Sequence, residues 1–275
     1  MNRTAIERFS IDARRKLIQS VESAMIELGV GPKSKSISVE SAGDVTVITL
    51  EGGLQNTIPS DEAKWRNQLI EVIESVGYEN ILEQVAYTCF NRLIAIRYME
   101  VNDFLPTHVR VLSSLDPEKD EPDIVTQFAY IPLQIPQSER EEILRLKDEN
   151  LLDQMFSKIF IHQCRELNRI LPELFTLTKP YENLLLRLSY VNQDGVLRDL
   201  VDNVPEEDFR DAVQIIGWMY QYYNTEQNNL VYDGSLSKSK LPKELVPAAT
   251  TIYTPDWVVK YMVDNSLGRM WFEEG

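Results

Sequence analysis

Apolar residues recur at helical spacing from the start of the chain. Ile6, Phe9, Ala13, Leu17, Val21, Met25 and Leu28 fall three or four apart and predict one amphipathic helix over residues 2–28. Gly29-Val30-Gly31-Pro32 ends it, in the glycine-then-proline order of a helix stop. That Gly-x-Gly follows a helix rather than a strand, so it reads as a cap and not as a phosphate loop. The pattern then changes to period two. Ile37-Ser38-Val39 and Val45-Thr46-Val47-Ile48-Thr49-Leu50, split by Ser41-Ala42-Gly43-Asp44, predict a β-hairpin near 37–50. It is too little strand for a doubly wound sheet.

Helical periodicity returns after Pro59-Ser60-Asp61, through Trp65, Leu69, Val72, Ile73 and Val76 to Gly77. A second long helix, about 79–102, is apolar around most of its girth, which predicts burial among other helices. Arg92, Arg97 and Glu100 are its charged exceptions, and Arg97 and Glu100, three apart, are spaced to form a structural ion pair. Residues 104–137 carry Pro106, Pro117, Pro122, Pro132 and Pro136 and read as a linker or variable loop region. Ser138-Glu139-Arg140-Glu141 has the form of a capping box opening a helix to Leu171. Shorter helices are predicted around 181–191 and 196–201, and another from Pro205 through Phe209, Val213, Ile216 and Tyr220. The polar stretch 228–240 ends in Ser235-Leu236-Ser237-Lys238-Ser239-Lys240, the one locally basic loop placed to face DNA. Beyond Pro247 a short extended run turns into a helix. Thr254 is suited to cap it, Pro255 to its first position and Asp256 to its positive end. Val258, Val259, Met262, Val263, Leu267 and Met270 define its apolar face.

The 275 residues suffice for one large or two ordinary domains, and 43% hydrophobic with 26% charged residues is a globular balance. Cys89 and Cys164 sit in apolar helical patterns and read as buried, reduced thiols. No apolar run reaches membrane-spanning length and no signal-peptide core opens the chain, so the expected setting is cytoplasmic, without a membrane. The net charge of −15, from 28 basic and 43 acidic residues, changes the picture most. Duplex DNA is gripped by Lys and Arg on its phosphates. Most of this surface is expected to repel it.

Candidate chemistry within the chain is thin. His108 has no second ligand nearby, and His162 and Cys164, two apart on a helix, point to different faces. Glu62-Ala63-Lys64 has a nuclease-like spacing but falls in a first helical turn, and nothing suitable follows Pro122-Asp123, so no Mg²⁺ nuclease is read. No catalytic or metal-ligating residue is assigned.

Three segments carry a family resemblance. They are Tyr253-Thr254-Pro255 with Val258-Val259-x-Tyr261-Met262-Val263, continuing through Asn265-Ser266-Leu267-Gly268-Arg269-Met270-Trp271; Phe90-Asn91-Arg92-Leu93-x-Ala95-x-Arg97-Tyr98-Met99-Glu100; and Ile216-Gly217-Trp218-Met219-Tyr220-Gln221-Tyr222-Tyr223. Together they resemble the PglX-type adenine-specific DNA methyltransferases of BREX phage-defence systems, which use S-adenosylmethionine (SAM) and are related to single-chain restriction–modification enzymes. The resemblance implies that Tyr253, Thr254, Pro255 and Val258 line part of a cofactor pocket. It also implies a glycine-rich cofactor motif and a Pro-Pro catalytic loop further along; the 13 prolines here include no adjacent pair. The expected fold is therefore mainly α: a multi-helix N-terminal domain with a small hairpin, 1–245, then 246–275 as the opening segment of a truncated SAM-dependent methyltransferase domain. Such a fragment is expected to be inactive alone and to meet DNA only through the parent enzyme. The alternatives are a helical interaction module docking on other defence-complex proteins, or an antitoxin- or adaptor-like helical protein.

Overall fold

The structure, a computed structural model, describes residues 1–32, 35–175, 179–210, 212–232, 246–250 and 252–274. The basic stretch 235–240 lies outside the described residues. Helix α1, Arg3–Glu27, buries the predicted face, and Asn2 Oδ1 caps it by accepting from the Ala5 amide at 3.2 Å. It stops where expected. The Val30 amide reaches back to the Met25 carbonyl at 3.0 Å, and Gly29 takes φ +62. A Cβ there would meet Leu50 at 2.8 Å and Ser36 at 3.0 Å, so both the left-handed backbone and the close strand require glycine.

The hairpin strands, β1 (Ser36–Ala42) and β2 (Val45–Leu50), are joined by a third, β3 (Gln55–Pro59), in an antiparallel β1-β2-β3 sheet. Register pairs Val39 with Ile48 and Thr46 with Ile58, placing Thr46, Ile48, Leu50 and Ile58 inward. The sequence pattern missed β3, because only Ile58 of its five residues is buried. Helix α2, Ala63–Val76, carries Arg66, which ties the sheet to α1. Its guanidinium donates to the Leu28 carbonyl (2.7 Å) and the Ser36 hydroxyl (2.9 Å).

Helix α3, Tyr78–Val101, is buried on nearly every side, as its all-round apolar sequence predicts. It packs against α1 and against α9, Gln214–Tyr223, which also lies along α1. Phe90 joins the three, 4.4 Å from the Tyr223 ring and 6.2 Å from Phe9. α5 (Gln137–Asp148) pairs with α6 (Leu152–Asn168), while α7 (Pro180–Leu185) and α8 (Val196–Asn203) close the far side of α1. Cys89 and Cys164 are free and buried, which pushes both thiols up to about 12.

Several expectations need correction. The proline-rich stretch is no linker: Leu105, Val111, Leu112, Phe128, Ile131 and Leu133 are core residues, and Asp123–Thr126 forms a short helix, α4. Several of its backbone polar groups are satisfied by side chains of the flanking helices α3 and α5. Glu100 accepts from the Val111 and Leu112 amides (both 2.8 Å), and Arg140 donates to three carbonyls. The capping box does not form, since α5 begins one residue before Ser138 with Pro136 as cap, and Glu149 to Leu151 separate it from α6. The helix expected from Pro205 is a single 3₁₀ turn, Glu206–Asp208, before α9. Residues 228–232 belong to α10, Thr225–Tyr232, rather than to a loop.

The Arg97–Glu100 pair forms as expected, at 2.7 Å and buried. Next to it Glu206 accepts from Arg110 at 2.8 and 2.9 Å and from Arg210 at 3.2 Å. The Arg110 guanidinium beside it, opposed by partial burial and aided by Arg210 and Arg97, holds the Glu206 carboxyl down to about 2. A carboxylate depressed in the folded state stabilises above its ordinary value of 4.5, and that contribution is lost as pH falls towards 2. Glu206→Gln is expected to flatten the acid limb of the urea midpoint measured against pH between those values. The effect is modest and salt-sensitive, because the group is partly solvated.

Candidate functional site

The residues singled out by sequence lie on the segment after α10. Val246–Thr250 forms a short helix, α11, where an extended run was expected, and the Tyr232 hydroxyl donates to the Ala249 carbonyl at 3.0 Å. Ile252 to Pro255 carry no regular secondary structure and lead into α12, Asp256–Val263. Pro255 is the cap residue of α12, and no side chain caps the helix. Thr254 therefore does not cap it, contrary to expectation. Pro255, with ψ 144, is extended and sits one position before the helical turn. Asp256 does occupy the first turn and pairs with Lys260 at 2.7 Å.

Tyr253 is held from α9. Its amide donates to Gln221 Oε1 at 2.9 Å. Its ring lies directly on the backbone of Gly217: a Cβ there would sit 1.9 Å from Cδ2 and 2.0 Å from Cε2. The ring meets Trp218 edge-on, centroids 5.1 Å apart. Trp218 is stacked in turn by Tyr222 and covered by the Arg3 guanidinium, 4.3 Å from its centroid. Partial burial, with the Asp256 charge, raises the Tyr253 hydroxyl above its ordinary value. Thr254 is exposed, and Pro255 and Val258 are half-buried. The four residues thus flank the start of α12, with Val258 inside its first turn.

From sequence, Gly217, Trp218 and Gln221 belong to one of the segments that carry the family resemblance, with no separate role. The glycine inside a helix was the available signal, since it marks a close approach by something else. Gln221 gave none.

After the turn, α12 continues through a π-helical stretch, Asp264–Gly268, into α13, Arg269–Glu274. Of the expected apolar face, Val259, Met262, Val263, Leu267 and Met270 are exposed and Val258 is half-buried. Trp257, Tyr261, Trp271 and Phe272, outside that face, are exposed as well.

A cleft of about 750 Å³ opens elsewhere, between α2, α5 and α6. Trp65, Glu62, Glu139, Glu142, Lys158 and His162 help to line it, and none of the four turn residues does. His162 Nε2 lies 2.9 Å from Glu139, and burial, with Arg165 and Lys158 nearby, lowers the imidazole below its usual range. Burial raises the Glu62 carboxyl. Carboxylates in this number would repel DNA phosphate. His108 only contacts Asp103, at 2.8 Å, on the surface. Among the described residues no three His, Cys, Asp or Glu side chains form a metal-holding group, and no helix is long and apolar enough to cross a membrane. Arginines 14, 15, 97, 110, 198 and 210 are engaged by carboxylates of the chain itself, which leaves them little to offer a phosphate backbone.

No family model matches the chain. Across 98% of its length it is 36% identical to the adenine-specific methyltransferase PglX of Lacticaseibacillus casei (strain Zhang), of which the match covers 23%. Across 99% it is 31% identical to the adenine-specific methyltransferase BrxX of Escherichia coli O9:H4 (strain HS), covering 22% of that protein. The chain spans less than a quarter of the length of either relative. Identity at this level over nearly every residue makes the chain a homologue of one segment of the PglX and BrxX adenine-specific methyltransferases.

Proposed function

We propose that this chain is the helical front segment of a SAM-dependent adenine-specific DNA methyltransferase of a cytoplasmic phage-defence system. In this reading residues 1–245 are a carrier body and 246–275 open the catalytic domain. The observation that carries it is the helix after Pro255. It exposes large apolar side chains along its length, the mark of a surface that another segment or partner covers. A catalytic sheet packed on that helix would cover it.

SAM fits one wall of the proposed site. Thr254 has an exposed side chain with no capping task, Pro255 and Val258 offer half-buried apolar surface, and Tyr253 is fixed from behind. When bound, SAM supplies the methyl group. The turn residues orient it, and groups that hold the adenine amino nitrogen come from another segment. With its acidic surface and internally paired arginines, the body would leave DNA binding to that segment.

The expected result is no methyl incorporation into adenine-containing duplex by this chain with labelled SAM, and incorporation by the polypeptide in which it precedes a catalytic segment. Incorporation by the chain alone would overturn the reading. The exposed helix also suits a module that docks on another protein of a defence complex. Co-purification of a stoichiometric partner bound through this helix, with no catalytic segment in the polypeptide, would favour that second reading.

A further inference from the structure

We infer that α9 is a latch that sets the position of the cofactor-proximal turn, with Gln221 and Gly217 as its positioning residues. The inference rests on the reading above that Tyr253 to Val258 wall the SAM pocket.

Among the described residues from 246 onward, Tyr253 is the one apolar side chain packed against the core. The pose of everything that follows it is therefore set largely by how Tyr253 is held. Three contacts hold it, and all come from one face of α9: positions 217, 218 and 221 are spaced i, i+1, i+4. They act differently. Gly217 lets the ring lie on the helix backbone, Trp218 blocks its edge, and the Gln221 amide oxygen fixes the main chain through the Tyr253 N–H. Thr254 is the next residue, one trans peptide and so about 3.8 Å from Cα to Cα further on, and inherits that position. A main-chain amide donating to a side-chain oxygen is what a positioning contact requires, because it fixes the backbone whatever the ring does.

The latch separates from folding. Gly217→Ala adds a better helix former to the middle of α9, so the helix itself is not weakened. Yet the new methyl must expel the whole ring, since Cγ, Cδ2 and Cε2 would all lie within 2.8 Å of it. Gln221→Leu removes the acceptor at similar volume, whereas Gln221→Glu keeps one.

The test has two arms. In this chain, amide hydrogen exchange at Tyr253 is expected to quicken about tenfold in Gln221→Leu, the order set by losing one hydrogen bond, and to stay near wild type in Gln221→Glu. Amides of α3 report that the fold is intact. In the polypeptide carrying the catalytic segment, Gln221→Leu and Gly217→Ala are expected to raise the SAM dissociation constant by about tenfold, with turnover at saturating SAM within about twofold and rescue by Gln221→Glu. Unchanged exchange in Gln221→Leu would overturn the latch. Faster exchange with unaltered SAM affinity would overturn its positioning role. Failure of the functional reading looks different: the wild-type longer polypeptide would bind no SAM, which removes the positioning role while leaving the exchange result to decide the latch.

Discussion

Glu100→Ala is expected to cost about 3–5 kcal/mol of folding stability, the range for removing one partner of a buried charge pair. Glu100 and Arg97 side chains are essentially inaccessible, at 0% and 2% exposure. One carboxylate oxygen accepts from Arg97 at 2.7 Å and from the Ser113 hydroxyl at 3.0 Å; the other accepts from the Val111 and Leu112 amides at 2.8 Å. Alanine leaves two buried amides without acceptors. It also leaves a guanidinium with a distant carboxylate, Glu206 at 3.5 Å, and a hydroxyl. Replacing both charges, Arg97→Met with Glu100→Leu, should recover part of the loss but not all of it, because the orphaned amides remain. Urea denaturation followed by circular dichroism measures both variants against the wild type. Complete recovery in the double variant would show that only the ion pair mattered; a cost below about 1 kcal/mol for Glu100→Ala would show that water reaches the network.

That network also explains why the proline-rich stretch was misread from sequence. Periodicity sees neighbours along a helix, and it placed α1 and α3 closely because their packing is local to each element. The segment 104–137 is ordered by polar groups that no apolar period records: a carboxylate on α3, a guanidinium on α5, and Asp123 accepting from Ser114 and Leu115. Prolines forbid long helices; they do not forbid burial once such acceptors and donors are in place. The turn at Tyr253 was legible for a similar local reason, since Thr-Pro-Asp is a recognisable helix opening. The cap fell one residue late because an extended Pro255 already satisfies the entry geometry, taking the place given to Thr254. Gln221 was not legible at all. Its partner is a backbone amide 32 residues away, and nothing in its own surroundings signals that.

The triple substitution Trp257→Gln, Tyr261→Gln, Trp271→Gln should separate the two jobs of the last helix. In this chain the three side chains are 71%, 65% and 80% exposed, so replacing them should move the melting temperature by no more than about 1 °C. Self-association, followed by light scattering, should fall, because the largest apolar rings leave the surface. In the longer methyltransferase proposed for this chain the same change is expected to reduce adenine methylation at least about 100-fold. Fully burying one such ring is worth about 1.5–3 kcal/mol, and each 1.4 kcal/mol is a decade in an equilibrium, so even partial covering of three rings exceeds two decades. The lost quantity is docking rather than chemistry. A large excess of SAM should therefore rescue little, in contrast with the Gln221→Leu variant, whose defect saturates away. Two results would contradict this account. A melting temperature that drops in the chain alone would place the helix against the body in solution, and full methylation by the longer triple variant would mean that nothing packs on it.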